Sequence, residues 1–209
     1  MKTSIASSVY FKVLSLVIFT MALQTTQAQN FSLKAGVNYS DVLASPEPVN
    51  IFTPKTAFHV GVVVNDLKIS EKINIQPELM YSLQGFKVAG LGNIGLHYIQ
   101  MPILAKLAMT DKVSILLGPQ VSYLANARIG IINDLFSLSY TGAFNKIDAS
   151  MVAGAEVKVA DNLSIGGRYA LGLNNINKDF KLSQTSNFND YFQLQNSGFQ
   201  VYASFAFGK

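Results

Sequence analysis

A two-residue alternation recurs in eight segments of the chain, with Gly or small polar residues on one beat and aliphatic or aromatic residues on the other. In residues 147–159 the odd positions are Ile147, Ala149, Met151, Ala153, Ala155, Val157 and Val159. The even ones are Asp148, Ser150, Val152, Gly154, Glu156 and Lys158. Successive strand side chains point to opposite faces, so this segment predicts a strand with one apolar face and one polar, partly charged face. The same pattern predicts strands at 31–39, 57–67, 73–84, 96–108, 113–124, 163–173 and 199–207. Each is close to the roughly 9–11 residues that a tilted strand needs to cross a bilayer.

The connections alternate in length. Tight turns are expected near 68–72, 109–111 and 160–162, and long loops at 40–55, 85–95, 125–146 and 174–198. Short turns at one end and long loops at the other are the arrangement of an outer-membrane barrel with both termini on the periplasmic side. Parity constrains the turns, because direct partners in a hairpin must face the same way. The apolar sets of strands six and seven are both odd-numbered, which predicts an odd, three-residue turn around Asp161, and the same holds around Thr110. Strands two and three change parity, so an even loop or a bulge is expected between them.

The start of the chain reads as a targeting segment. Lys2 and Lys12 precede an apolar stretch at 13–23, and Thr26-Gln27-Ala28 offers small residues at a cleavage position, giving a signal peptide over 1–28 and a barrel domain over 29–209. Residue 29 is Gln and not Cys, which argues against a lipid anchor. Of 16 Lys+Arg and 12 Asp+Glu, the segment holds two lysines and no acid, so 14 against 12 leaves a mature charge of +2. That balance gives no nucleic-acid signal. With no Cys there is no disulfide or thiol chemistry, and with no Trp any interfacial belt must use Tyr and Phe.

Charge also decides which face is outside. Only 13% of the chain is charged, where a soluble domain carries about 25%. A lipocalin-like barrel would keep the apolar face inside and cover its exterior with the polar one. Here that face is mostly Gly, Ser, Asn and Gln, a poor soluble surface. The apolar face instead ends in aromatics, with Tyr39, Phe58, Tyr81, Tyr123 and Phe199 at one rim and Phe31, Phe205 and Phe207 at the other. Aromatics at both rims suit two membrane–water interfaces. The expectation is an all-β, eight-stranded antiparallel up-and-down transmembrane barrel.

Several motifs carry a resemblance. Phe31-Ser32-Leu33-Lys34-Ala35-Gly36-Val37-Asn38, Gln76-Pro77-Glu78-Leu79 with Tyr81 and Gly85, the run from Tyr98 to Lys106, Gly118-Pro119, and Gly166-Gly167-Arg168-Tyr169 with Gly172 are similar to the PorT-like outer-membrane β-barrel family. The likeness covers essentially the whole mature chain, the long loops least. It implies the fold and an outer-membrane location, and no catalytic residues. The family takes its name from a member tied to a protein-secretion system, so a part in such a system enters as an alternative.

The strongest chemical cluster falls on the presumed lumen face: Lys34, Glu78, Lys106, Glu156, Lys158 and Arg168. A turn near Asp161 puts Glu156 and Arg168 opposite or diagonal on adjacent strands, within reach of a salt bridge. Paired charges filling a narrow barrel account for the cluster more simply than an ion path does. His59 and His97 are the only histidines, both expected at the loop-side end of the lumen, with Ser82 and Glu78 between them. A hydrolase site there is imaginable, but no elbow motif or ligand spacing supports catalysis, a cofactor or a metal. The loops at 174–196, with Phe180, Phe188, Tyr191 and Phe192, and at 129–140 read as contact surfaces. The sequence therefore favours a non-enzymatic barrel with a structural or surface-recognition role. Its expected partners are membrane lipid, lipopolysaccharide and a protein at the extracellular loops. An accessory role in secretion, or a surface lipid hydrolase, is the alternative.

Overall fold

The alternation is realised as eight long antiparallel strands closed on themselves. A computed structural model describes residues 31–45, 52–65, 67–88, 92–131, 136–139, 141–177, 181–183, 186–187 and 193–207. The expected signal peptide and its cleavage site lie outside the described residues, as do Phe180, Phe188, Tyr191 and Phe192 of the last loop. The barrel strands are β1 (Phe31–Ser45), β2 (Phe52–Val64), β3 (Ile73–Val88) and β4 (Gly92–Ala108). They continue with β5 (Val113–Ile131), β6 (Ile147–Ala160), β7 (Leu163–Gly172) and β8 (Gln193–Phe207). Each pairs with the next in sequence, and β8 pairs with β1. Closure leaves no barrel edge facing lipid with unpaired backbone groups.

Register fixes the dimensions. Following partners once round the barrel, from Phe31 through Val64, Pro77, Ile103, Pro119, Met151, Leu171 and Ser197, returns to β1 at Asp41, ten residues along. With eight strands, that stagger gives a tilt of about 40° and a backbone radius of about 8 Å. An interior of that width is filled by its own side chains. Large apolar residues cover the outside at mid-wall, including Val37, Val62, Leu79, Ile103, Leu117, Met151, Ile165 and Val201. Tyr39, Phe58, Tyr123 and Phe199 are exposed towards the loop end and Phe31, Phe205 and Phe207 towards the turn end.

The structure corrects the expected strand ends at the loops and one turn. Residues 85–95 are not a long loop: Gly85 pairs with Gly95 and Val88 with Gly92, so β3 and β4 continue above the bilayer. Likewise β1 runs to Ser45, β5 to Ile131, and β8 begins at Gln193. The outward apolar beat stops where lipid stops, but the inward beat persists in Phe86, Val88, Leu96, Leu124 and Leu194. The β6–β7 hairpin closes over only Asp161 and Asn162, and parity is kept by a register shift that leaves Val159 as the extra residue. The β4–β5 connection keeps an odd count, with residues 109–113 between the Ala108↔Ser114 partners. Between β2 and β3, Val63 faces Glu78 while Leu67 faces Ile75, four steps against three, which is the expected bulge.

Leu117 lies half-exposed on the lipid face of β5. Leu117→Arg should lower unfolding stability in lipid by about 2–4 kcal/mol, whereas Asp111→Arg in the exposed β4–β5 turn should change it by less than about 0.5 kcal/mol. Urea titration of the folded protein in liposomes compares them.

Candidate functional site: an ion network sealed inside the barrel

Glu78 on β3 is the centre of the lumen. Its Oε1 accepts from Lys34 Nζ of β1 at 2.6 Å and from Gln76 Nε2 at 2.8 Å, and its Oε2 accepts from Arg168 Nη1 of β7 at 2.6 Å. The side chains of Glu78, Lys34 and Arg168 are 0% exposed. Arg168 Nε donates to Gln200 Oε1 of β8 at 2.5 Å. Strands on opposite sides of the barrel are thus joined through one carboxylate. A buried charge without such partners would cost several kcal/mol, so the three must be placed together.

Tyr202 of β8 links this centre to a second pair nearer the turn end. Lys34 Nζ sits 4.1 Å from the centroid of the Tyr202 ring, and the Arg168 guanidinium carbon lies 5.6 Å from it. The phenol donates to Glu156 Oε2 at 3.2 Å, and Glu156 Oε1 accepts from Lys106 Nζ at 2.5 Å. Three cations therefore meet two carboxylates. The surplus positive charge is shared between an aromatic face and Lys106, whose side chain is 25% exposed. Small residues make the room: a Cβ on Gly166 would stand 2.5 Å from the Tyr202 Cζ and Oη, and one on Gly154 2.5 Å from Arg168 Cβ.

Above the ions lies a polar layer. Asn38 Oδ1 is 2.7 Å from His59 Nδ1, and its Nδ2 donates to Ser82 Oγ, Leu83 O and Phe58 O. Ser40 Oγ donates to Lys55 O and Gly85 O. These two β1 side chains satisfy backbone groups where pairing between β2 and β3 is interrupted from Pro54 to His59. Higher still, Asn196 Nδ2 joins Asp148 Oδ2 at 2.7 Å and Tyr98 Oη at 3.1 Å. A cavity of about 10 Å³ beside Gln84, Gln120, Asp148 and Asn196 has room for one water. An apolar cap of Val42, Phe86, Leu96, Leu124, Phe144, Ile176 and Leu194 closes the loop end.

Of the six residues expected on the lumen face, Lys34, Glu78, Lys106, Glu156 and Arg168 lie there and Lys158 does not, and the pairing differs. Glu156 stands opposite Gly166 and Arg168 opposite Gly154, so the two are diagonal, yet they form no ion pair. Arg168 reaches across the lumen to Glu78, where both side chains are fully enclosed. Lys158 is exposed at the β6–β7 turn and pairs with Asp161 at 3.2 Å. His97 does not enter the lumen: Leu96 and Tyr98 take the inward positions, and His97 stands on the outer wall 2.5 Å from Tyr81 Oη. The histidines are on opposite sides of the wall, so they do not converge on Ser82. The apolar cap was the feature missed, although Phe86, Val88, Leu96, Tyr98 and Leu124 carry lumen parity in the sequence.

A family model described as an outer membrane protein beta-barrel domain matches residues 25–178. The chain belongs to this family. Among solved structures, Neisserial surface protein A is 11% identical, with 85% of this chain and 97% of that one covered at a TM-score of 0.52. Ail, the attachment invasion locus protein of Yersinia pestis, is 14% identical over 87% of this chain and 100% of its own, at 0.49. OprG from Pseudomonas aeruginosa is 9% identical over 87% and 97%, at 0.44. At this identity the likeness to Neisserial surface protein A speaks to the fold alone. No curated protein matches the chain.

In this outer-membrane barrel, Glu78→Ala leaves two buried cations without a counter-charge and should destabilise by about 3–5 kcal/mol. Glu156→Ala should cost less, because Lys106 can turn towards water. In double-mutant cycles, Arg168→Met with Glu78→Gln should be strongly non-additive, and Arg168→Met with Glu156→Gln nearly additive. Urea unfolding in liposomes measures all of these.

Proposed function

We propose that this outer-membrane barrel is non-enzymatic and non-conducting, and that it works as a structural or recognition protein through its extracellular end after removal of a signal peptide at Ala28. The observation that carries the reading is the filled lumen. Lys34, Glu78, Arg168 and Tyr202 occupy it at mid-height, and Phe86, Leu96, Leu124 and Phe144 close it towards the loops. A barrel plugged twice over leaves its loop end as the surface where a protein partner would meet it.

An accessory role in an outer-membrane secretion system is the second reading, favoured by the PorT-like motifs around Lys34, Glu78 and Arg168. Deletion of the gene separates the two, since loss of exported cargo belongs only to the second. A lipid hydrolase has less support, because His59 is enclosed beside Asn38 while His97 is outside.

The filled lumen makes a direct prediction. Purified protein in a planar bilayer should give no stable porin-like current, and a steady open conductance in the unmodified protein would overturn the plugged reading.

A further inference from the structure

A second cluster of charge lies on the outer wall. The interruption between β2 and β3 leaves Lys55 paired with Ser40 of β1 but without a partner on β3. Its ammonium reaches across β3 and lies 3.5 Å from where a Cβ on Gly95 of β4 would stand, on the side of the Leu83 side chain. The floor beneath it is a pair of partnered glycines, Gly85 and Gly95. Gly85 has φ 139°, a conformation that other residues rarely adopt. Gly95 in turn pairs with Arg128 of β5, whose side chain is exposed. His97 is two residues further on the same face, held by Tyr81 Oη and close enough to Lys55 and Arg128 to feel both charges. Lys87, two residues beyond Gly85, is exposed as well.

These cations differ from those inside. Lys34, Lys106 and Arg168 each meet a carboxylate, whereas Lys55, Lys87 and Arg128 have no salt-bridge partner among the described residues. Immediately towards the membrane centre, Tyr81, Ile99 and Tyr123 are paired neighbours on the apolar stripe, and Leu83 stands beside them as the partner of His97. The wall is therefore cationic above and apolar below within the height of one lipid leaflet. Like charges gathered where Lys55 lies over the buried pair Gly85 and Gly95 suit an anion that brings its own apolar tail. Free phosphate would leave the stripe below unused.

We propose that Lys55, His97 and Arg128, gathered over the buried Gly85–Gly95 pair, form a docking site for a phosphate of an outer-leaflet glycolipid of the lipid A type, whose acyl chains lie along Tyr81, Leu83 and Ile99. The guanidinium binds phosphate oxygens in a fork and the ammonium acts as a point charge beside it. The site depends on the outer-membrane location and is independent of whether the loops bind a protein.

The test uses the full chain purified from outer membranes in detergent and titrated with bisphosphorylated lipid A, dephosphorylated lipid A and inorganic phosphate. Lys55→Glu with Arg128→Glu should weaken binding of bisphosphorylated lipid A at least tenfold, while Lys68→Glu with Lys72→Glu at the periplasmic turn should leave it unchanged. Heat-modifiable mobility on a gel reports that each variant is folded. Dephosphorylated lipid A should bind the unmodified protein at least tenfold more weakly, which decides the matter even if the double variant does not fold. Equal binding of the two lipids, or full affinity in the folded Lys55–Arg128 double variant, would overturn the site. Competition by inorganic phosphate at the lipid's own concentration would overturn the glycolipid assignment.

Discussion

A lysine and an arginine halfway through a membrane wall are tolerable only where an anion meets them both, and Glu78 does so. Lipid offers no water to the barrel's outside, and a barrel of this radius admits little to its inside. Charges on the inner face must then be satisfied by one another. Glu78 uses one oxygen for Lys34 and Gln76 and the other for Arg168, tying β1, β3 and β7 together across the lumen. A buried ion network of this kind adds less to stability than its Coulomb energy suggests, because each ion gave up its hydration. What it does impose is position: the carboxylate reaches both cations only in one register of three strands.

Other features follow from making space for that network and then closing it off. Gly154 and Gly166 leave room for Arg168 and Tyr202. Asn38 and Ser40 bond backbone carbonyls of the interrupted β2–β3 ladder, and the Lys55 ammonium lies beside Gly95 on the outer wall. Above the bilayer, where the wall no longer faces lipid, the inner face becomes apolar and packs as an ordinary core around Phe86, Leu96 and Leu124. The lumen therefore runs from a charged end, where Lys106 meets solvent, to a hydrophobic one at the loops, and function moves to the loops and the outer wall.

Much of this was legible in the sequence, for a physical reason. The two-residue period is a property of the strand itself, and a lipid-facing row of Val, Leu and Ile leaves it almost undisturbed, so the strand count and the outward face could be read directly. Parity likewise required the irregularity between β2 and β3. The pairing of ions could not be read this way. Register makes Glu156 and Arg168 diagonal neighbours, but a long side chain in a narrow barrel reaches across as easily as sideways, and Glu78 is distant in sequence. The strand ends were hidden because the outward apolar signal vanishes at the bilayer edge, so Lys87 and Asn93 look like loop. The polarity of His97 predicts an inward side chain. It faces out, where Tyr81 and nearby cations give it polar company at the membrane surface.

The central claim is that one carboxylate holds both Lys34 and Arg168 in a lumen closed to water. The most direct measurement is nitrogen-15 NMR of the Arg168 side chain in lipid nanodiscs. The account predicts an Nε–H resonance that exchanges slowly with water and shows contacts to the Glu78 methylenes and the Tyr202 ring. A guanidinium that exchanges freely with water, without contacts to β3, would contradict it.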